Sequence, residues 1–118
     1  MASQLPQRPI IGKSGYKLTA TPTKAERERM DRIARMGCIL SYFKSGQWGT
    51  PGAVHHMLTG RVPGRRAPHS RTICLAPRYH QYSPEALHDL GLERFAEVHG
   101  ITEEELFEMT NELIKQYA

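Results

Sequence analysis

The fold is decided by residues 53–81, AVHHMLTGRVPGRRAPHSRTICLAPRYHQ, in which two short apolar segments lie on either side of a basic loop. Residues 53–57 and 72–75 have the length and composition of strands. Residues 60–68 contain too many glycines and prolines for regular structure. A short turn of helix is predicted around residues 77–81. We therefore predict an α+β domain with a small β-hairpin, a long basic loop and flanking helices.

The segments upstream of this stretch predict a helix, a strand and an arm. Thr23 and Glu26 form a capping box, so a helix is predicted over residues 24–36. Residues 38–43, CILSYF, are short, β-branched and aromatic, which favours a strand. Residues 1–22 are basic and rich in breakers, and we interpret them as a flexible basic arm before a domain over 23–118.

The segments downstream predict two helical stretches. Ser83 followed by Pro84 is typical of a helix start, and an interruption is expected near Gly91. Thr102 with Glu105 forms a second capping box, which opens a helix that runs almost to the end of the chain.

Charge is divided unevenly along the chain. Residues 1–81 carry 14 Lys and Arg against 3 acidic residues, a net of +11, whereas residues 82–118 carry 2 against 9, a net of −7. This asymmetry indicates that the first part meets a polyanion, such as the phosphate backbone of a nucleic acid. A solvated basic surface without a partner remains the alternative on charge alone.

Other features bound the cellular context. No apolar run has the length needed to span a bilayer, and the first residues lack the apolar middle of a signal peptide. With two cysteines in the sequence, a disulfide framework is not expected. We therefore expect a cytoplasmic protein with no membrane partner.

Five of the six histidines fall between residues 55 and 88. Imidazole ligates metals and relays protons near neutral pH. Because successive side chains of a strand point to opposite faces, His55 and His56 are predicted to serve different purposes. His99 lies outside this group and is interpreted as a packing residue.

The order of these residues resembles the layout of an HNH, or ββα-metal, nuclease finger, in which strands, a loop and a helix carry histidines. A wider set of residues resembles the Ref family of phage recombination-enhancement, RecA-dependent nucleases, over roughly residues 22–115. The residues that carry this resemblance are Thr23-Lys-Ala-Glu-Arg27, Arg35-Met-Gly-Cys38, His55-His56, Gly60, Arg65-Arg66, His69, Thr72-Ile73, His80-Gln81, Leu87-His88, Phe95, His99-Gly100 and Thr102-Glu-Glu-Glu-Leu106.

The resemblance implies a phage-encoded, metal-dependent DNA endonuclease on half of an HNH finger, directed by a RecA filament. On that basis His56 is predicted to be the general base, and His69 orients it or contacts phosphate. His55 and His80 are predicted ligands of one divalent cation, Mg²⁺ or Mn²⁺. Zn²⁺ is the alternative, since no acidic residue lies between positions 32 and 84. His88 is a further metal candidate, for which substrate contact and helix packing also stay open.

Basic side chains in and around the loop are predicted to hold the DNA backbone. They are Arg61, Arg65, Arg66, Arg71 and Arg78.

The chain departs from the family at its structural zinc site. The family has Cys-x-x-Cys where this chain has Cys38-Ile-Leu-Ser41, and Leu-Cys-x-x-His-His where it has Leu75-Ala-Pro-Arg-Tyr-His80. Three of four zinc ligands are thus replaced together, by Ser41, Ala76 and Tyr79.

Cys38 and Cys74 are interpreted as remnants of that zinc site. A tetrahedral zinc needs four donors, which Cys38 alone cannot provide. Cys74 is a candidate partner for a rescued site. The favoured expectation is that structural zinc is absent and that Tyr79, Ile39 and Leu75 fill the space by packing.

Two other functions stay open. One is a non-catalytic DNA-binding recombination accessory protein that uses the same basic loop. The other is a protein-binding module that uses the acidic C-terminal helix. Metal-dependent nicking would support the enzyme, and salt-sensitive DNA binding without nicking would support the accessory protein.

Overall fold

The computed structural model describes residues 21–116, which form six helices and a two-stranded sheet. The elements are α1 (Lys24–Met36), α2 (Ile39–Ser45), β1 (Ala53–His56), β2 (Thr72–Leu75), α3 (Pro77–His80), α4 (Leu87–Leu90), α5 (Leu92–His99) and α6 (Glu103–Gln116). The predicted α+β class is confirmed. Nearly all of the predicted arm over residues 1–22 lies outside the described residues, and the domain bounds 23–118 stay a prediction.

The two strands form an antiparallel hairpin, as the sequence predicts. Ala53 lies opposite Leu75 and His56 lies opposite Thr72. The basic loop of residues 57–71 joins the strands without helix or strand of its own, and Met57 N–H donates to the Arg71 carbonyl at 3.0 Å across its base. The hairpin therefore holds both ends of the loop together.

Helix α1 begins and ends where the sequence predicts. Both hydrogen bonds of the Thr23–Glu26 capping box are present. From the middle of the helix, Arg29 donates to Thr72 Oγ1 at 3.2 Å, to the Thr72 carbonyl at 2.7 Å and to Asn111 Oδ1 at 2.7 Å. One guanidinium thus ties α1 to β2 and α6.

The predicted strand at residues 38–43 is wrong, because this segment forms helix α2. Cys38 is its N-cap, with Sγ accepting from Ser41 N–H at 3.4 Å. Ile39 and Leu40 are buried, whereas Phe43 is 41% exposed. The apolar run is too short for its periodicity to separate a strand from a helix, and burial against the core decided in favour of the helix.

The predicted helix start at Ser83 and Pro84 is also wrong. Helix α4 begins at Leu87, and the preceding residues form a turn in which Asp89 Oδ1 accepts from Tyr82 N–H at 2.6 Å. Tyr82, just before the predicted start, has φ +62° and belongs to this turn. The predicted break near Gly91 is confirmed, since this residue separates α4 from α5.

Helix α6 begins with the predicted capping box. Thr102 N–H donates to Glu105 Oε1 at 2.9 Å, and Glu105 N–H donates to Thr102 Oγ1 at 3.0 Å. His99 is buried and its ring packs against Phe95 at 4.6 Å, as expected for a packing residue.

One apolar core joins most of these elements. Its buried members are Cys38, Ile39, Leu40, Ile73, Leu75, Ala76, Tyr79, Leu87, Phe95, Ile101, Leu106 and Leu113. None of the helices described over residues 21–116 is long and apolar enough to cross a membrane.

Candidate metal centre and basic cleft

Three histidines from three different elements converge on one point. His55 lies on β1, His80 at the last position of α3 and His88 on α4. Each offers one ring nitrogen, and these nitrogens lie within 4.8 Å of one another. The ring centroids are 4.9 to 5.3 Å apart. The structure thus brings together all three predicted metal candidates, including the one whose role the sequence left open.

The donor set of this histidine group fits a divalent cation. Burial, and then neighbouring histidines, lower the pKa of His80, and burial and His55 are the main causes that lower the pKa of His88. Both rings therefore favour the neutral form, which is the form that ligates metal. His55 is buried and His88 is exposed, so the group opens to solvent on one side. Three nitrogen ligands with an open side are typical of catalytic cation sites.

Glu103, at the start of α6, positions His55. Its Oε2 lies 2.6 Å from His55 Nε2, and the carboxylate is 1% exposed. It also accepts from the Leu58 and Thr59 amides at 2.8 to 3.1 Å and from Thr59 Oγ1 at 2.6 Å. Burial raises the pKa of Glu103, but the hydrogen bonds from His55, Thr59 and Leu58 outweigh it and lower the pKa overall. The carboxylate therefore stays ionised and can only accept.

This contact sets which nitrogen of His55 faces the cluster. Since an ionised Glu103 accepts, His55 Nε2 must carry the proton, and Nδ1 keeps the lone pair that a cation needs. A carboxylate behind a metal-binding histidine is a common arrangement that fixes the ring and raises its basicity.

The sequence reasoning did not nominate Glu103. A signal was available, because the buried positions of α6 are Glu103, Leu106, Thr110 and Leu113, at spacings of 3, 4 and 3. A glutamate on the apolar stripe of an amphipathic helix has to find a buried partner. Because Glu103 is the first of three consecutive glutamates, the sequence indicates instead that it belongs to the segment that caps the helix.

His56 and His69 form a second pair beside the first group. His56 Nε2 lies 2.9 Å from His69 Nδ1. Thr72 Oγ1 donates to the His69 carbonyl at 3.0 Å and holds the loop at that residue. Burial lowers the pKa of His56 to about 4, with Arg66, His69 and His55 adding to the effect. His55 and His56 thus have different partners, as strand alternation predicts.

A basic cleft of about 470 Å³ is lined by His55, His56, His80 and His88. Arg61, Arg65 and Arg66 line it and are exposed. Among the described residues, no acidic side chain lines this cleft. Three of the five arginines that are predicted to contact the DNA backbone therefore lie around the histidines.

The other two arginines lie elsewhere. Arg71 donates to Glu104 Oε1 at 2.7 Å and lies over the Phe107 ring at 4.9 Å, so it is engaged with α6. Arg78 is exposed on the far side of α3, over the ring of Tyr79, to whose hydroxyl it donates. A role in binding nucleic acid stays a prediction for all five.

The two cysteines predicted to be remnants of a zinc site lie in the core. Cys38 and Cys74 are buried free thiols. Burial and the neighbouring Cys38 raise the pKa of Cys74 to about 12, so it is protonated at neutral pH. Tyr79 is 2% exposed and packs in the same core cluster as Ile39 and Leu75. The packing that was expected to fill this region is present.

Taken together, the fold and the site define a small basic domain with a candidate cation centre. A family model described as recombination enhancement, RecA-dependent nuclease matches residues 22–115. The chain belongs to this family, which confirms the resemblance to Ref proteins. No curated protein gives a match.

Proposed function

We propose that this protein is a metal-dependent DNA endonuclease that acts in recombination with RecA filaments, on an HNH-like half finger. The observation that carries the proposal is the group His55, His80 and His88 in a cleft lined by arginines, next to the pair His56 and His69. Hydrolysis of a phosphodiester needs a general base, a neutralising charge and a grip on the backbone. The cleft offers residues for each need.

The proposed roles follow the positions of the side chains. His56 takes the proton of the water that attacks phosphorus, and the P–O bond opposite the attacking water breaks. His69 holds the ring of His56 through the 2.9 Å contact and fixes its tautomer. If His56 Nε2 donates to His69, Nδ1 of His56 is the nitrogen that accepts the proton. Arg65 and Arg66 hold phosphates of the backbone.

His55, His80 and His88 would hold the cation. A divalent cation bound there would polarise the scissile phosphate and neutralise the charge that develops on it. Imidazole ligands suit Zn²⁺, whereas Mg²⁺ and Mn²⁺ prefer oxygen and would rely on phosphate and water. The cation is therefore best identified by comparing cleavage in the presence of Mg²⁺, Mn²⁺ and Zn²⁺.

The low pKa of His56 has two consequences for this role. At a pKa of about 4, His56 is neutral at physiological pH and free to accept a proton. It is also a weaker base than a histidine whose pKa lies near 7. The negative charge of a bound phosphate offsets the positive charge of Arg66. We therefore expect substrate binding to raise the pKa of His56 towards neutrality.

The first test is His56→Ala, assayed on single- and double-stranded DNA with Mg²⁺, Mn²⁺, Zn²⁺ or EDTA, with and without RecA filament. Wild-type protein should cleave only with an added cation. The variant should lose roughly 10²–10⁴-fold in cleavage rate, the usual contribution of a general base, and should bind DNA as wild type does. Arg94→Ala, an exposed residue paired with Glu97 on α5, is the matched control and should cleave normally.

Two results would change the assignment. Wild-type cleavage by His56→Ala would remove His56 as the base. Tight DNA binding by the wild-type protein without cleavage under any condition would favour the non-catalytic accessory protein instead.

A further inference from the structure

A second groove, of about 720 Å³, is lined by residues of α2, of α3 and of the segment between α2 and β1. Its lining is Ser41, Lys44, Ser45, Gln47, Thr50, Pro51, Ala76, Pro77, Arg78 and Tyr79, of which Ser41, Ala76 and Tyr79 are the positions predicted to replace zinc ligands. The proposed function uses none of these residues, and Arg78 is the one that the sequence predicts to contact DNA.

The groove is positively charged. Lys44 and Arg78 are exposed, and no acidic residue lines the groove in the part of the chain that is described. Hydroxyl and amide side chains make up much of the remaining lining. Such a lining complements a phosphate backbone, which takes charge from Lys and Arg and hydrogen bonds from hydroxyl and amide groups.

Two exposed aromatic residues are neighbours in sequence of residues that line the groove. Phe43 precedes Lys44 and Trp48 follows Gln47, and each residue is 41% exposed. Trp48 packs against Tyr42 with centroids 4.3 Å apart, which supports the ring from one side. Supported aromatic rings beside a basic groove are the feature on which the bases of a single strand stack.

The groove and the histidine cleft share α3, and the segment that leads into β1 lines the groove whereas β1 lines the cleft. On α3, Arg78 and Tyr79 line the groove, and the next residue, His80, lines the cleft. Residues 50–51 line the groove, and residues 54–56 line the cleft. A polynucleotide in one of these sites therefore has a short path into the other.

We propose that this groove binds the single-stranded DNA that flanks the scissile phosphate, with Lys44 and Arg78 on the backbone and Trp48 stacked on a base. The proposal rests on the proposed function for the identity of the strand. It assigns the surface left by the lost zinc ligands to substrate binding.

The test is a titration with single-stranded oligothymidylate in EDTA, so that binding is measured without cleavage. Trp48 is the single tryptophan of the sequence and follows the groove residue Gln47, so its fluorescence is the probe of binding at this surface. In wild type the fluorescence should be quenched on binding. In Lys44→Ala/Arg78→Ala, affinity should fall roughly tenfold, and the salt slope should flatten by about 1.4, as expected for two lost contacts on a single strand.

The matched control is Arg94→Ala/Lys115→Ala, which removes the same charge from exposed sites on α5 and α6. This control should keep the quenching of Trp48 fluorescence and most of the salt dependence of binding. The proposal would be overturned if Lys44→Ala/Arg78→Ala melted at the temperature of wild type and bound DNA with the same affinity and salt slope as the control. Equal quenching of Trp48 by a blunt duplex would overturn the single-strand assignment.

Failure of the groove and failure of the nuclease are distinguishable. Wild-type protein that quenches and binds in EDTA but never cleaves leaves the groove standing and removes the enzyme. Wild-type protein that cleaves, with binding indifferent to Lys44 and Arg78, leaves the enzyme and removes the groove.

Discussion

The carboxylate of Glu103 links three parts of the site through five contacts of 3.1 Å or less. It fixes His55 on β1, and through the amides of Leu58 and Thr59 it fixes the first residues of the basic loop. Because Glu103 begins α6, the C-terminal helix also takes part in positioning the histidine group. Glu103 is therefore a positioning residue, and its effect should appear in metal affinity.

Glu103→Gln is expected to weaken binding of Mn²⁺ or Zn²⁺ by roughly 10- to 100-fold, the usual cost of losing the carboxylate behind a metal-binding histidine. The amide keeps the shape but loses the charge that holds the His55 proton on Nε2. Competition with a chromophoric chelator measures the affinity without any assay of cleavage.

The control for this experiment is Glu104→Gln, the neighbouring carboxylate, whose side chain is 38% exposed and paired with Arg71. It should bind the cation as wild type does. Equal affinity in Glu103→Gln and wild type, with both folded by circular dichroism, would show that Glu103 does not position the ligand.

At the scale of elements, α1 and α2 are joined by a connection that depends on Gly37. This residue has φ +88° and ψ −173°, a region that is essentially restricted to glycine. An added Cβ would lie 2.7 Å from Thr50 N and 2.8 Å from Gly49 atoms. The turn thus sets α2 directly against the segment that leads into β1.

Gly37→Ala is expected to lower the free energy of unfolding by about 3 kcal/mol, from backbone strain plus the clash with Thr50. Gly46→Ala is the matched control. Gly46 is left-handed as well, at φ +74°, but no atom lies within 4 Å of its added Cβ, so about 1 kcal/mol is expected. Urea unfolding measures both, and equal losses would mean that the close approach at Gly37 is relieved by a small shift.

The same elements show what the sequence could predict. The capping boxes at Thr23 and Thr102 fixed two helix starts because the signal is local and complete within four residues. The segment 38–43 is predicted as a strand, since six residues, of which five are apolar or aromatic, carry no decisive period. The helix start at Ser83 failed because Asp89, six residues away, captures the backbone of that turn.

The residues of the site also divide into those that the sequence predicts and those that it does not. The histidines were identified from residue type and spacing, since few other side chains ligate a cation or relay a proton near neutral pH. Their grouping into two separate sets depends on tertiary contacts among β1, α3 and α4. Glu103 could not be placed, because its partner His55 is 48 positions away in the chain.

At the scale of the whole molecule, the two oppositely charged parts of the chain are joined rather than separate. Arg71 pairs with Glu104, and Glu103 holds the hairpin, so α6 lies against the basic segment. Cys38, Cys74 and Tyr79 are buried in the core.

Thiol reactivity should therefore report on global unfolding. With the pKa of Cys74 raised to about 12, almost no thiolate exists at pH 8, and the side chain is buried. In Cys38→Ala, burial, the larger cause, still raises the pKa of Cys74. An aromatic disulfide reagent should therefore label Cys74 only as fast as the protein opens, and urea should accelerate the reaction. Labelling of the native variant at the rate of a free thiol would contradict both the burial and the raised pKa.

The closure of the basic loop has a consequence for how this protein can diversify. Both ends of the loop are held, by Glu103 at Leu58 and Thr59 and by the Met57–Arg71 hydrogen bond. Residues 60–66, between these anchors, form no helix or strand and are exposed. Mutation can therefore lengthen, shorten or change residues 60–66 while the histidine group and His69 are retained. Substrate preference and chemistry are thus free to evolve at different rates.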